Sequence, residues 1–322
     1  MSKSFETLEN ELYEPLSATR TVFEKGMNVV TFVLSAIALI PLFAILYKLL
    51  RQGLGQLSWE ALVSLPAPMG VTDVPNGFAN AILGTLIMVF LACLFSVPLG
   101  VIVGICLSEL GRGSTAANIV RFATVILSSV PSVIVGVFAY GVLVLTTKKF
   151  SAFAGGFALG TIMLPIVALT TEEALKLIPR QYRLASSALG AGRFYTIFRA
   201  VLPSAIPAIV TGVLLAVSRA AGETAPLLFT ALSSQFWPPL LEKLGEFSQA
   251  AGGAEALTTL REIPETLATP TPSLSVLIYN YAQSPFKEQN ALAWTAALVL
   301  IGLVVIANLL SRFVTNANLK TR

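Results

Sequence analysis

Between Ala200 and Leu241 only two residues carry charge, Arg219 and Glu223. They lie four apart within Ser218-Arg219-Ala220-Ala221-Gly222-Glu223-Thr224. A charge at the bilayer centre costs about 2.5–3.5 kcal/mol on insertion scales, so such residues face protein or a water-filled path. At i, i+4 the two share a helix face and can pair. The pair could simply hold helices together, but buried ion pairs are poor sources of stability, which favours a place in a path. Arginine offers planar, bidentate donors suited to a tetrahedral oxyanion. An Arg219 that exchanges partners between Glu223 and a passing anion would act as a gate. Gly222 permits close backbone approach, and Pro226 removes a helix hydrogen bond just beyond.

A second polar interruption is Ser128-Ser129-Val130-Pro131-Ser132. Ser129 and Ser132 could line a cavity with hydroxyls and freed carbonyls, or the proline could mark a kink packed against neighbours. Asn80 to Thr85 reads as a helix start with small packing residues.

Much other chemistry is excluded. The chain has no histidine, so no imidazole acid–base pair and no His-ligated zinc. Cys93 and Cys106 lie thirteen positions apart in one apolar segment, about 20 Å along a helix and too far for a disulfide. They read as packing residues. No G-x-x-x-x-G-K-[ST] loop occurs, so the chain cannot cradle ATP. No nucleophile–base pair stands out, and no catalytic or metal-ligating set is assigned.

The elements that must position the charged pair are membrane helices. Of 322 residues, 55% are hydrophobic and only 12% charged, with a mean hydropathy of +0.78. Soluble domains carry roughly 25% charged residues, so an ordinary soluble fold is excluded. Charge-poor runs long enough for a bilayer, about 20 helical residues each, predict six spans. These are 26–47, 81–107, 122–147, 150–171, one within 200–241, and 289–311. The first follows five glutamates and is too long for a signal-peptide core, so it reads as retained. Placing both termini inside puts 13 of the 21 Lys and Arg in inner segments, as the positive-inside rule asks. That bias, rather than a nucleic-acid partner, explains the net charge of +4. The organisation expected is an inner tail at 1–28, a membrane domain at 29–314 and an inner tail at 315–322. The membrane domain has an inner loop at 172–203 and an outer loop at 232–290.

In the inner loop, Phe194, Ile197, Phe198 and Val201 fall at i, i+3, i+4, i+7, one face of a short amphipathic helix. Tyr182, Ala185 and Leu189 repeat the spacing before Gly190-Ala191-Gly192, a natural joint. Pro203 suits the first turn of the fifth span. The loop could lie on lipid headgroups or dock a cytoplasmic partner.

Ala185, Gly190, Leu202 and Pro203 match the spacing of the EAA loop of bacterial ABC importer permeases, with Leu184, Ser186 and Ala200 replacing its Glu, second Ala and Ile. More specifically, the chain resembles the A-type permeases of high-affinity phosphate ABC importers. The carrying stretches are Asn80–Thr85, Pro98–Val101, Val130–Val133, Ser284–Phe286 and above all Arg219–Ala231. The resemblance implies an all-α integral membrane protein of six transmembrane helices with the type I ABC importer (MetI-like) permease fold. It implies a C-type permease as heterodimer partner, two ATPase copies that hold the ATP and Mg, and a periplasmic phosphate-binding protein, in the inner membrane. It makes Arg219, Glu223 and Thr224 the phosphate path, and the EAA-loop residues the ATPase docking element. Transport of another solute on the same scaffold, and a self-contained channel or secondary transporter, are the rival readings. The Arg219–Ala231 string weighs against the first, and the absence of inverted repeats against the second.

Overall fold

The computed structural model describes residues 18–68, 74–111, 113–241, 243, 246 and 262–320. Much of the inner N-terminal tail, the outer-loop stretch 247–261 and the last two residues of the C-terminal tail lie outside them. By packing the chain divides into two units, Met1–Arg51 and Gln52–Arg322. Among the described residues the regular elements are all helical.

Helix α1 (Ala18–Gly55) runs through Pro41, and its apolar side chains, such as Phe32, Ile40 and Phe43, are exposed. Within the second unit, α2 (Trp59–Val63) is capped by Ser58, and α3 spans Ala79–Ile105 before a wide π-turn at Cys106–Leu110. Then come α4 (Thr115–Ser129), α5 (Ser132–Ala139, extended by a π-turn and one more turn to Thr147) and α6 (Ala152–Leu177). The next elements are α7 (Arg180–Ala188), α8 (Arg193–Thr196), a π-turn at Ile197–Val201 and α9 (Leu202–Ala221). The last are α10 (Ala225–Thr230), α11 (Leu274–Ala282) and α12 (Lys287–Lys320). Among the described residues five helices are long and apolar enough to cross a membrane, and six crossings result when the bent α4–α5 pair counts as one.

The centre of the second unit is α6, packed parallel along α3. Lipid is as apolar as leucine, so helix pairs in membranes associate through small residues that let backbones approach. Here a Cβ on Gly156 would meet Leu91, one on Gly160 Phe95, one on Gly100 Val167 and one on Gly104 Thr171. The contacts advance in the same order along both helices, which is the register of a parallel pair. Gly212 does the same for α9, where an added Cβ would lie 2.3 Å from the Thr170 hydroxyl. Met88, Leu159, Met163, Val167, Ala216 and Leu227 fill the shared core.

The returning segment before α11 is stitched to these helices. Ala152 donates to the Thr269 carbonyl (3.1 Å) and Thr271 to that of Ala231 (3.1 Å). Leu274 donates to the Thr85 hydroxyl at 2.9 Å. Gly84 in the Asn80–Thr85 stretch is needed here, because a Cβ would stand 1.9 Å from the Pro272 carbonyl oxygen.

Four expectations change. The third span is broken: α4 and α5 meet at Val130–Pro131 with their axes turned by 101°. Proline lacks the N–H that would continue α4 and excludes its predecessor from helical geometry. At 1.5 Å per residue the two legs still reach roughly 30 Å end to end, one bilayer core. The pair also crosses, since Arg121 near the start of α4 bonds Glu172 at one end of α6, while Lys148 leads into the other. The helix of the fourth span continues to Leu177, so Glu172 is helical. The fifth span is one helix, Arg193–Ala221, that stops before Glu223. Finally, Cys106 is exposed rather than packed, while Cys93 is partly buried.

Candidate functional site

Arg219 occupies the last turn of α9, which Gly222 closes by donating to the Arg219 carbonyl at 3.1 Å. Glu223 and Thr224 lie in the break before α10, so the expected shared helix face does not exist. The pair nevertheless forms across the helix end, with Arg219 Nε 3.6 Å from Glu223 Oε1. That is ion-pair range but beyond a hydrogen bond. The Arg219 side chain is 50% exposed and that of Glu223 only 16%. Glu223 is held from behind: its carbonyl accepts the Ser275 hydroxyl of α11 at 2.9 Å. Ser218, beside Arg219, accepts from the Asn308 amide of α12 at 3.0 Å. The Thr224 carbonyl accepts from Leu228, and its side chain makes no capping bond.

Two helix breaks meet at this point. Gly136 of α5 packs so tightly on α10 that a Cβ would fall 2.7 Å from Pro226 Cα. Arg219 lines a cavity with Ser128, Val130 and Ser132 from the α4–α5 break, walled by Ile162 and Ile166 of α6. Its volume of about 10 Å³ holds a water at most. The cavity is too small for a tetrahedral oxyanion. Ser132 opens α5, so the partial positive charge of a helix N-terminus adds to the guanidinium. Of the two serines expected at the site, Ser132 lines this cavity. Ser129 is exposed, with its hydroxyl donating to the Val125 carbonyl at 3.0 Å, and Ser128 takes the place beside Arg219.

The inner loop is a helix–turn–helix at the opposite end. Gly190 turns it with φ +80°, and Ala185 and Gly190 are exposed while Leu202 and Pro203 are half-buried in the first turn of α9. The single apolar face expected for 194–201 is split: Ile197 and Val201 are buried, Phe194 and Phe198 exposed. The π-turn at Ile197–Val201 adds a residue to the turn and rotates the register. Pro203, with no N–H to give and a ring that crowds the preceding turn, accounts for it. Leu184, Leu189, Phe194 and Tyr195 form an outward apolar surface. Ser186, where the EAA pattern has alanine, shares a 2.8 Å hydrogen bond with Thr196 across the joint.

Glu109, Glu172, Arg121 and Arg183 also carry this region and were missed. Arg183 bonds the Glu109 carboxylate, and Glu172 takes Arg121 at 2.9 Å and Lys176 at 2.6 Å. Only the i, i+4 spacing of Glu172 and Lys176 offered a signal, because the other partners lie 51 and 74 positions apart.

Residues 96–318 match the binding-protein-dependent transport system inner membrane components. The phosphate transport system permease protein PstA of Haemophilus influenzae is 37% identical over 294 residues, covering 91% of this chain and 94% of its own length. The chain belongs to the PstA family. The Yersinia pestis member is 36% identical over 270 residues, covering 84% of this chain and 82% of its own. PstA-family sequence thus extends well beyond the Arg219–Ala231 string. The fold is shared with solved ABC transporters. An inward-facing MetNI methionine transporter chain aligns at a TM-score of 0.55 with 20% identity, covering 74% of this chain and 95% of its own. A bacterial transporter that imports alginate aligns at 0.55 with 14% identity, covering 93% and 98%. This PstA-family chain is accordingly a multi-pass permease subunit with the ABC importer permease fold.

Proposed function

We propose that this chain is the A-type half of a permease that carries inorganic phosphate into the cytoplasm. The observation that carries the reading is Arg219, a half-exposed guanidinium at a helix end, sharing one cavity with Ser128 and Ser132 and paired with Glu223. Phosphate would take the guanidinium from Glu223, since arginine matches its oxygens bidentately. The low volume keeps the route shut between turnovers, and the Glu223 carboxylate keeps the guanidinium paired meanwhile. The names of the relatives support phosphate as cargo.

The chain itself holds no cofactor in this reading; ATP and Mg belong to an ATPase dimer docked on the outward apolar surface of α7 and α8. A C-type permease forms the second half, and a periplasmic phosphate-binding protein delivers the anion. The subunit sits in the bacterial inner membrane with both termini cytoplasmic. Radiolabelled phosphate uptake in a strain lacking its own A-type subunit tests the assignment. Expression of this chain restores uptake; expression and membrane insertion without uptake would overturn it.

A further inference from the structure

Two carboxylates at the inner end, Glu109 and Glu172, are 8% and 2% exposed. Burying a carboxylate is costly unless it is paired and hydrogen-bonded, and both are paired across elements. Glu109, in the π-turn that closes α3, accepts Nε of Arg183 at 3.2 Å and also its Nη2. The same guanidinium caps α6, donating to the carbonyls of Ile178 (2.8 Å) and Leu175 (3.0 Å). From the other leg of the loop, Arg193 donates to the carbonyls of Glu109 and Leu110. Both legs are thus fastened to one turn at the end of α3. Glu172 adds α4 to the node through Arg121.

Two rigid elements lead from this node to the gate. The continuous helix Arg193–Ala221 carries Arg219 in its last turn, and α4, fixed by Arg121, ends at the Ser128 wall of the same cavity. We propose that the Glu109–Arg183 ion pair is a transmission joint: it binds the loop to α3 and α6 so that a displacement of the loop moves the helices of the gate. The two residues touch neither cargo nor nucleotide. They are positioning residues, and without their pair the loop moves alone. The proposal rests on the reading of the loop and gate given above.

The test is the whole importer in proteoliposomes, with phosphate accumulation and ATP hydrolysis measured in the same vesicles. Glu109→Gln keeps side-chain volume and removes the charge; Arg183→Gln removes the charge from the other side. Each variant is expected to hydrolyse ATP at a near wild-type rate while moving about tenfold less phosphate per ATP, the scale of an ordinary coupling energy. The exchanged pair Glu109→Arg with Arg183→Glu is expected to recover at least half of the ratio. An unchanged ratio in Glu109→Gln overturns the proposal, as does a fall of hydrolysis and uptake in equal proportion with no recovery in the exchanged pair. Where the glutamine variants do not assemble, Arg183→Lys is measured: it keeps the charge but loses the fork, so an intermediate ratio supports the joint and a wild-type ratio overturns it. A wild-type complex that hydrolyses ATP without accumulating phosphate would instead overturn the function proposed above, so the two failures are distinct.

Discussion

Arg219 and Glu223 meet across a helix terminus, not along a helix face: the guanidinium belongs to the last turn of α9, and the carboxylate to the break that follows. A pair on one helix would move as a unit. A pair across a break separates when α9 and α10 shift against each other, which suits a gate better than a staple. The carboxylate side is held by the Ser275 bond to the Glu223 carbonyl.

Ser275→Ala removes that bond. A net hydrogen bond contributes about 0.5–1.5 kcal/mol, so thermal stability in detergent should fall slightly. Uptake should fall several-fold, because the partner of Arg219 is no longer placed. Unchanged uptake would mean that α11 does not hold the gate.

Gly136→Ala pushes a methyl group to 2.7 Å from Pro226 Cα. Overpacking typically costs about 1–3 kcal/mol, here at the contact between the two helix breaks. The expected result is slower phosphate uptake than the loss in folded protein explains, measured by normalising uptake to the monodisperse fraction.

Gly84→Ala places a Cβ 1.9 Å from the Pro272 carbonyl, backbone that cannot swing aside. A loss of about 1–3 kcal/mol is expected, visible as a lower melting temperature in detergent. A change of this size at a residue more than a hundred positions from Arg219 would confirm that the segment carrying Pro272 docks on α3.

Gly190→Ala strains the joint of the inner loop, since its φ of +80° costs an L-residue about 1–2 kcal/mol. The ATPase should co-purify less well, while insertion of the subunit itself remains normal. Ser186→Ala, which loses the Thr196 hydrogen bond, should act in the same direction more weakly.

The membrane helices were legible because a charge-poor run of sufficient length leaves the chain little alternative, and Arg219 and Glu223 stood out for the same reason. Gly190 was legible as a joint because glycine alone turns there without strain. What was hidden arises from proline and from distance. Pro131 announced an interruption, but its 101° turn depends on where α5 can pack, which Gly136 and Pro226 decide. Pro203 read as the first turn of a helix, where it stands, but nothing announced the π-turn before it that rotates Phe194 and Phe198 away from Ile197 and Val201. A periodicity count at 3.6 residues per turn cannot see such an insertion. Glu109 was invisible because Arg183, which makes its burial tolerable, is 74 residues away.

The central claim, that phosphate passes Arg219, is tested most directly by ATP-driven uptake of radiolabelled phosphate into proteoliposomes holding the complete importer. Wild type, Arg219→Gln, Arg219→Lys and Glu223→Gln are compared at equal ATPase content. Hydrogen bonds to charged groups contribute about 1.5–3 kcal/mol, so losing the guanidinium should slow uptake by about 10–100-fold. The lysine variant, without the planar fork, should fall between. Wild-type uptake in both Arg219→Gln and Glu223→Gln would contradict the account, because the pair would then lie outside the path.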